Sequence, residues 1–520
     1  MNSFANIISC IIISLIVYSS GYSQDRHWVF FTDKSGSEFD PFSYFDQKAV
    51  ERRIRQQLPL EDSADYPVSR QYIKEVSILV DAVTTETRWF NGIAVIASEE
   101  QLEKVGQLPY VRNIQPVFVQ TYPAGDGYKT EMTEKLEDLL KRQTGRMGAS
   151  LFTGNGIDGK GIRIAIFDGG FPSVDTSPVF EHIRNDGRII KTWDFTRKNE
   201  DVYKAVSHGT MVMSCIAGIV DGVKIGLATG AEFLLARTEI MTEPFSEEEN
   251  WLAAVEWADK NGADIINSSL GYTFHRYFPW QMDGTTSLVA RAANMAASRG
   301  ILVVNAMGND GAQKWQIAGT PADADSVLSV GGIDPDLDYH TSFSSFGPTS
   351  DKRMKPNVCA FGHVAAAGKK GIVKTQGTSF ASPLVAGFAA CAWQADRNLT
   401  NMQLLKEIEK SGDLYPYYDY AHGYGVPQAA YFTKNKAASV AVSFTIITDT
   451  EYLYVMVSDK GVPGSGRYLY YHIENEEGVI DYYAVIEVYR EEVLKIRLDE
   501  YSAGHTLKVH YKGYTESYNF

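Results

Sequence analysis

The chain has 520 residues, 44% of them apolar and 22% charged, which is the composition of an ordinary globular protein. This length is too great for one compact core and predicts two to four domains. The 49 basic and 64 acidic side chains give a formal net charge of −15, and because such a field repels phosphate backbones, nucleic acid is not expected as a partner.

The first 23 residues are predicted to be a signal peptide. An apolar run from about Ile7 to Val17 is followed by small and polar residues, and it has the size of the core of an export signal rather than of a membrane span. We expect cleavage near Ser23 and an exported protein, secreted or periplasmic. Because no later segment reaches the length of a membrane helix, we expect no integral membrane span in the mature chain.

The four cysteines do not predict a disulfide framework. Cys10 is lost with the signal peptide, and an odd number, Cys215, Cys359 and Cys391, remains. Each of the three lies in an apolar or small-residue run, where a thiol is typically a small buried hydrophobe. A disulfide or a metal site is the alternative.

Residues 24–120 are predicted to form a small α+β domain. The run HWVFFTDK (27–34) predicts a strand, FSYFDQKAVERRIRQQ (42–57) a helix, EVSILVDAV and RWFNGIAVIAS two strands, SEEQLEKVGQLP a helix and VRNIQPVFVQ a last strand. The order β-α-β-β-α-β is the ferredoxin-like, split βαβ pattern. The polar stretch 121–143 that follows is predicted to be an exposed linker, partly helical, which a protease would reach easily.

Residues 144–432 are predicted to form a doubly wound α/β domain with a mostly parallel sheet. Near-continuous apolar runs such as RIAIFD, EFLLAR, ADIINSSLG, ILVVNAMGN and VLSVGGI alternate with helical patterns, and strands covered on both faces have this composition. Residues 437–520 change to tyrosine-rich alternation between turn residues, which predicts a small antiparallel β domain. Its aromatic residues could form a sugar-binding face or serve core and edge packing.

Three polar side chains of the α/β domain could act together. Asp168 ends the predicted strand RIAIFD, His208 opens an apolar helix in SHGTMVMSCIAG, and Ser379 opens another in GTSFASPLVAGFAACAW. Taken singly, each has a structural explanation as a turn carboxylate, a helix-terminus residue or a helix N-cap. Together they supply the carboxylate, base and nucleophile that a weakly nucleophilic serine requires.

Asn309 is the candidate for stabilising a developing oxyanion. It lies between two glycines at the end of the apolar strand in VVNAMGNDG (303–311), where its amide could donate to a negatively charged oxygen. Asparagine beside glycine is also common turn chemistry.

These segments resemble those of the subtilisin-like serine proteases, the subtilases or peptidase family S8. IAIFDGG resembles the family's Asp segment, HGTMVMSCIAG its His segment, GTSFASPLVAG its Ser segment, MGNDG its oxyanion Asn segment and INSSLG its substrate-binding strand, while GYGVPQAA (423–430) resembles its closing segment. The resemblance covers about residues 144–432.

The resemblance implies a role for each matched residue. Ser379 would be the nucleophile, His208 the general base and acid, Asp168 the carboxylate that holds the imidazole, and Asn309 with the Ser379 N–H the oxyanion hole. A polypeptide substrate would pair as an extended strand with one segment, Ser269, Leu270 and Gly271. A second segment, Ala306, Met307 and Gly308, would line the other side of the substrate.

The chain also departs from the family pattern. Gly169 follows the aspartate where the family commonly has Thr or Ser, Phe361 stands where Pro is frequent, and Met211 replaces a second histidine. The sequence identifies no definite cofactor. No calcium loop is recognisable, and the presence of a structural calcium ion is left open.

The N-terminal domain resembles a subtilase propeptide of the inhibitor I9 type. The resemblance implies that the protein's own propeptide is an intramolecular inhibitor, released after a cut that we expect between about Gln120 and Gly145. Two other functions compete with the protease: a catalytically silent subtilase fold that binds through its C-terminal domain, and an esterase or lipase. The latter would have a G-x-S-x-G elbow, whereas this chain has G-T-S-F-A.

Overall fold

The computed structural model describes residues 25–117, 134–240, 246–273, 276–433, 440–458, 468–489 and 492–520. The predicted signal peptide and the predicted linker up to residue 133 lie outside these ranges. No helix within them is both long and apolar enough to cross a membrane.

The N-terminal domain contains four strands and four helices. Its elements are β1 (Asp25–Phe31), α1 (Pro41–Tyr44), α2 (Gln47–Arg55), α3 (Arg70–Ser77), β2 (Ala82–Thr87), β3 (Gly92–Ala97), α4 (Glu99–Gly106) and β4 (Val111–Pro116). The sheet has the order β2-β3-β1-β4 with antiparallel neighbours. Because α3 and α4 connect β1 to β2 and β3 to β4, the predicted split βαβ pattern is confirmed.

The helix predicted over 42–57 is not the one that connects β1 to β2. It is broken into α1 and α2 because Asp40 and Asp46 each cap a separate helix start, accepting hydrogen bonds from Phe42 N and Lys48 N. The connecting helix is α3, and part of the predicted strand EVSILVDAV belongs to it. The apolar run EVSILVDAV (75–83) resembles a strand in sequence, but its first three residues belong to the helix.

The central domain, residues 134–433, is built around one large sheet. Its helices are α5 (Glu134–Gly145), α6 (Ala149–Gly154), α7 (Glu181–Asn185), α8 (His208–Ala217), α9 (Ser246–Lys260), α10 (Leu288–Ser298), α11 (Thr378–Ala395), α12 (Asn401–Lys410) and α13 (Ala429–Phe432). Its strands are β5 (Arg163–Asp168), β6 (Ile189–Asp194), β7 (Ile219–Val220), β8 (Val223–Lys224), β9 (Glu232–Arg237), β10 (Ile265–Ser268), β11 (Leu302–Ala306), β12 (Val327–Asp334), β13 (Tyr339–His340), β14 (Val358–Phe361), β15 (His363–Gly368) and β16 (Gly371–Gln376).

The large sheet is parallel except at β13 and has the order β13-β12-β11-β10-β5-β9-β6, with β14 beside β12. Alternate residues of β5 face two different cores. Ile164 and Ile166 lie on the face of the sheet that is covered by α8 and α11, and Ala165 and Phe167 lie on the face covered by α9 and α10. Burial on both faces accounts for the near-continuous apolar runs of these strands and confirms the doubly wound fold.

The predicted linker 121–143 is helical in its described part, in agreement with the prediction of partial helix, but the prediction that it is exposed is wrong there. From Glu134 the chain forms α5, whose Leu136, Leu139 and Leu140 are buried in the same core as α8 and α11. Gln143 is also buried and bridges the Ile225 carbonyl and the Ala365 N–H. The segment is therefore a packed helix of the central domain, because its leucines recur at helical spacing between charged residues.

The C-terminal domain consists of two antiparallel sheets enclosing one core. The strands are β17 (Phe444–Thr448), β18 (Tyr452–Val457), β19 (Tyr468–Glu474), β20 (Ile480–Glu487), β21 (Glu492–Arg497), β22 (Thr506–Tyr511) and β23 (Tyr514–Asn519), paired as β17-β18-β21 and β20-β19-β22-β23. Tyr471 and Tyr511 are buried in the core and Tyr470 against the central domain, which favours packing over sugar binding for these residues.

Candidate active site

The carboxyl edge of the large sheet brings together the polar residues predicted from the sequence. Asp168 is the last residue of β5, His208 the first of α8 and Ser379 the second of α11. Parallel strands end at a common edge, and helix starts that follow them meet there. Residues from distant parts of the chain therefore converge on one small region.

Asp168 and His208 are in direct contact. The Nδ1 atom of His208 lies 3.0 Å from Oδ1 and 2.9 Å from Oδ2 of Asp168, whose side chain is completely buried. Because a carboxylate only accepts hydrogen bonds, Nδ1 carries the proton and Nε2 is left as the basic nitrogen. Burial lowers the pKa of His208, but the charge and hydrogen bond of Asp168 outweigh it, so the pKa is raised.

The Ser379 hydroxyl donates to the backbone carbonyl of Ser269, with the two oxygens 3.2 Å apart. In the described part of the chain it makes no hydrogen bond to His208, although the His208 ring lies 5.3 Å, centroid to centroid, from the ring of the next residue, Phe380. Ser379 and His208 are thus neighbours that are not hydrogen-bonded to each other.

Ser269 and Ser379, at the start of α11, exchange two hydrogen bonds, because each hydroxyl donates to the backbone carbonyl of the other residue. The Ser269 hydroxyl donates to the Ser379 carbonyl at 2.9 Å and accepts from the Asn267 amide at 3.1 Å. Asn267 in turn accepts from the Ser382 hydroxyl at 3.0 Å. This buried chain of hydrogen bonds, which the sequence reasoning missed, fixes the end of β10 against α11.

Asn309 is oriented by Thr378, a residue that the sequence reasoning also missed. Its Oδ1 accepts from the Thr378 N–H at 2.9 Å and from the Thr378 hydroxyl at 3.0 Å, while that hydroxyl accepts from the Gly308 N–H at 3.2 Å. Oδ1 is occupied in this way, whereas Nδ2 has no hydrogen-bond partner among the residues that the structure describes. The only available signal was the position of Thr378 beside Ser379 in the sequence.

Gly377 leaves room for the Asn309 amide. Its φ of +139° is one that glycine alone adopts easily, and a Cβ there would lie 3.3 Å from Asn309 Nδ2. Ser379 follows in the first turn of α11, where backbone N–H groups have no partner within the helix. An amide and a helix N-terminus therefore face the same space.

The two predicted substrate-lining segments end adjacent strands. Ser269 and Leu270 follow β10 with their side chains mostly buried, and Gly271 is exposed. Ala306 ends β11, and the Asn305 amide donates to both the Leu270 and the Ala306 carbonyls, linking the segments.

The Met307 side chain is not available to line a substrate cleft. It is completely buried and packs with Ala318 and Ala322. Gly308 has a φ of +117°, and a Cβ there would come within 2.8 Å of Ser345 Oγ. Beyond Ala306, this segment could therefore contribute backbone atoms rather than side chains to a substrate cleft.

Gly169 is explained by its surroundings. A Cβ at this position would lie 2.6 Å from Val206 Cγ2, so a larger residue requires Val206 to move. Instead of a neighbouring hydroxyl, Asp168 Oδ1 accepts from the Gly169 N–H at 2.7 Å, and the Gly169 carbonyl accepts from Arg237 Nε at 2.9 Å. Arg237 is itself paired with the buried Asp194 at 2.8 Å.

Cys215, Cys359 and Cys391 are all free and buried, as predicted. Burial raises the pKa of the Cys215 thiol to about 12 and that of Cys359 and Cys391 as well, so none is a ready thiolate. Across the described ranges, no three His, Cys, Asp or Glu side chains group as metal ligands would.

Two family models match the chain. The model of the subtilase family of peptidases S8 matches residues 159–425, slightly more than half of the chain, and the model of the peptidase S8 propeptide domain of Bacteroidota matches residues 26–133.

Among curated proteins, the chain is similar to a thermophilic serine proteinase of Bacillus sp. (strain AK1), with 30% identity over 46% of this chain and 55% of that protein. It is 32% identical to the subtilisin-like protease SBT6.1 of Arabidopsis thaliana over 47% of this chain and 22% of that protein. It is 29% identical to subtilisin NAT of Bacillus subtilis subsp. natto over 49% of this chain and 61% of that protein. The chain thus spans less than two thirds of each of these relatives.

Among solved structures, the crystal structure of MycP1 from Mycobacterium smegmatis is 21% identical and covers 60% of this chain and 90% of that chain, with a TM-score of 0.47. For a crystal structure of MycP1 from the ESX-1 type VII secretion system, the similarity covers 61% of this chain and 92% of that chain at 20% identity, with a TM-score of 0.48.

Proposed function

The chain belongs to the subtilase family, and from this premise we propose that it is a serine endopeptidase acting through Ser379, His208 and Asp168. The observation that carries the proposal is the contact of the buried Asp168 carboxylate with His208 Nδ1, at 2.9 Å, beside the start of the helix that holds Ser379. A base held in one tautomer next to a serine hydroxyl is the arrangement that acyl transfer requires.

The reaction uses the serine as nucleophile. The Ser379 oxygen attacks the peptide carbonyl as His208 Nε2 takes its proton, and the imidazolium then protonates the leaving amine. Water hydrolyses the acyl-enzyme by the same base. The Asp168 carboxylate stabilises the charged imidazolium, consistent with the raised pKa of His208.

Asn309 Nδ2 and the Ser379 N–H are proposed to stabilise the oxyanion of the tetrahedral intermediate. The support for this role is that Thr378 holds Asn309 Oδ1 and leaves the amide donor free. Donors fixed before the reaction need no reorganisation as charge develops, which is why they contribute strongly to catalysis.

Substrate binding would itself release the nucleophile. A peptide paired as an extra strand with residues 269–271 can donate a backbone N–H to the Ser269 carbonyl, which is the acceptor that the Ser379 hydroxyl occupies. Competition for this oxygen weakens the hydrogen bond of the Ser379 hydroxyl and favours its rotation to His208. Catalytic hydrogen bonds that form only with substrate are common in enzymes.

A fluorophosphonate probe tests the proposal, because only an activated serine reacts with it. We expect covalent labelling of the mature protein at Ser379 and none in Ser379→Ala. Equal labelling of the two, or none of the wild type after removal of the N-terminal domain, would contradict it.

A silent subtilase fold used for binding is the second candidate. It is favoured by the hydrogen bond of Ser379 to Ser269 rather than to His208. The same labelling experiment separates the two candidates, since a serine that never reaches His208 stays unreactive.

The N-terminal domain is proposed to be an inhibitory propeptide, so that the chain is made as a zymogen. Its match to a propeptide model and its packing on α9 and α10 support this role. We propose that self-cleavage falls within 118–133, before α5, and that Ser379→Ala leaves the precursor uncut. Export through the N-terminal segment 1–23 remains part of the proposal.

A further inference from the structure

Histidines collect where the C-terminal domain meets the central domain. Four of the ten histidines in the chain lie at this contact, and each of them is at least nine-tenths buried. Imidazole is the side chain whose ordinary pKa lies closest to neutral pH, so acid can charge this contact. The four residues, here called the histidine joint, are His340 and His422 of the central domain and His472 and His510 of the C-terminal domain.

His422 is held in its neutral form by two hydrogen bonds. Its Nδ1 donates to the Asp419 carboxylate at 3.0 Å, and its Nε2 accepts from the His340 N–H at 3.0 Å. A second proton, on Nε2, would put two donors face to face and break the bond to His340. The same ring packs edge-on against Tyr470 of the C-terminal sheet, with centroids 5.4 Å apart. Protonation would therefore disturb a ring that the two domains share.

Two further rings of the joint are buried without a charge. The His340 ring stacks on Phe346 at 4.3 Å, and its Nε2 has no hydrogen-bond partner in the described part of the chain. The His510 ring lies 6.1 Å from that of Tyr417, and its Nδ1 contacts the Thr515 hydroxyl at 2.8 Å. Burial lowers the pKa of His340 to about 3 and that of His510 to about 4. The closed joint thus resists protonation of both rings.

Asp419 is the acid that faces His340 and His422, and its hydrogen bonds are already in use. The carboxylate is completely buried and accepts from the Tyr417 hydroxyl at 3.1 Å, from two backbone N–H groups and from His422. It therefore has little capacity left for a newly charged imidazole. The other titratable groups against these rings are tyrosines, which stay uncharged on acidification: Tyr339 and Tyr470.

A cavity of about 510 Å³ lies between the two domains beside His422 and His510. Asp413, whose charge acts on His510, is paired with Arg146, which also holds Asp338 at 2.8 Å. A proton on His510 would add positive charge to a lining whose cations and carboxylates balance without it. The charged lining residues are Arg142, Arg146, Lys512, Asp336, Asp338 and Asp413.

His472 differs from the other three histidines, because a carboxylate faces it. Its Nδ1 donates to the Tyr418 carbonyl, and its ring stacks on Tyr417 at 4.9 Å. Its Nε2 lies 2.9 Å from Glu474, which Lys508 contacts at 3.1 Å. With an acceptor beside each nitrogen, a charged His472 fits the closed joint. The response to acid therefore belongs to His340, His422 and His510.

The joint is connected to the start of α11 through β14. The Gly425 carbonyl, at the end of the segment 415–425, accepts from the Cys359 N–H of β14 at 2.8 Å. Gly362 directly follows β14, and its carbonyl accepts from the Gly377 N–H at 2.8 Å. Gly377 is the N-cap of α11, two residues before Ser379. A change at the joint can thus reach the proposed nucleophile through backbone hydrogen bonds.

We propose that the histidine joint is an acid-sensitive latch, which holds the C-terminal sheet on residues 415–425 at neutral pH and releases it when its histidines take up protons. Rings that resist protonation in the closed state bind more protons in the open state. Below the ordinary histidine pKa, each pH unit of acidification should therefore favour opening by up to about 10-fold per histidine. Opening would loosen β14 and the start of α11. The meaning for catalysis rests on the proposed function, but the opening itself does not.

The test uses the full chain with Ser379→Ala, so that self-digestion cannot occur. Hydrogen exchange read by mass spectrometry at about pH 7.5 and about pH 5, corrected for the intrinsic exchange rate, gives the change in the opening equilibrium. We expect residues 415–425, β19 and β22 to lose protection together at the lower pH while β5 and β10 keep theirs. His510→Gln, which cannot be charged, should reduce the change between the two pH values by about 30-fold.

His505→Gln is the matched control, because His505 lies in the same domain and contacts only groups of that domain, Ser502 and, at 3.7 Å, Asp481. It should leave the change with pH as in the parent chain. If His510→Gln already opens the joint at the higher pH, His340→Gln replaces it with the same expected result. Equal changes in the parent chain and in the joint variant, or a loss of protection that includes β5 and β10, would overturn the proposal. Because Ser379 is absent throughout, the outcome is independent of whether the protein is a protease.

Discussion

The Asp168 segment shows how one missing hydroxyl is compensated within this chain. At the position where the resemblance to the family predicts Ser or Thr, Gly169 avoids Val206 and offers its carbonyl to Arg237. The Arg237–Asp194 pair is buried, so the guanidinium is a rigid support. It holds the backbone next to Asp168 rather than the carboxylate itself.

Arg237 is therefore expected to be a positioning residue for Asp168, the proposed catalytic carboxylate. In Arg237→Met the Gly169 carbonyl loses its donor and Asp168 can shift, which should lower kcat by about 10- to 100-fold with little change in KM. Steady-state kinetics on a peptide substrate measures this. Arg237→Lys, which keeps the charge, should restore part of the rate, and a change in KM alone would contradict a positioning role.

The pH dependence of Ser379 labelling reports on His208. The imidazole must be neutral to act as base, so the labelling rate should rise with pH. Because Asp168 raises the pKa of His208, the midpoint of this rise should lie above the ordinary histidine pKa of about 6.5. In Asp168→Asn the burial remains without the charge, so the pKa falls and the rise moves to lower pH. The maximal rate should drop by about 10⁴-fold because the tautomer is no longer fixed. An unmoved pH profile would mean that Asp168 does not control the imidazole.

At the scale of elements, α5 changes the expected start of the mature chain. Its three leucines complete the core under α8 and α11, and losing one such side chain costs about 2 to 5 kcal/mol. A cut within or after α5 would remove several of them. We therefore expect N-terminal sequencing of the mature protein to give a start between residues 118 and 134, and a start beyond Gly145 would show that α5 is dispensable.

The parallel strands of the central domain could be predicted from the sequence because burial on both faces leaves an unbroken apolar run, as in RIAIFD. The side chains at their carboxyl ends followed from that, since topology brings them to one edge. α3 was missed because its apolar residues form a cluster as dense as that of a strand, and only the sheet around it decides between the two. Thr378, Asn267 and Arg237 could not be predicted, because their partners Asn309, Ser382 and Gly169 are far away in sequence and polar residues carry no periodic signal.

At the scale of the whole molecule, the C-terminal domain is packed onto the central domain through tyrosines. Tyr417 is completely buried and stacks on His472 of β19 at 4.9 Å, and its neighbour Tyr418 accepts at its carbonyl from His472 Nδ1. Tyr470 also contacts Tyr417, with ring centroids 5.9 Å apart. In the segment YPYYDYAHGYG (415–425), which leads into the closing motif of the central domain, Tyr417 and Tyr418 are thus covered by the C-terminal sheet.

This contact predicts that the C-terminal domain stabilises the central one. Tyr470→Ala should lower the free energy of unfolding by about 3 kcal/mol, as for truncation of a buried aromatic side chain, and should uncouple the unfolding of the two domains so that urea denaturation shows two transitions. Tyr482→Ala, on the exposed face of β20, is the control and should change little, because half of that side chain is in solvent. If both substitutions had the same small effect, the tyrosines between the domains would be filling space rather than joining them, and the C-terminal domain would be an independent unit carried by the enzyme.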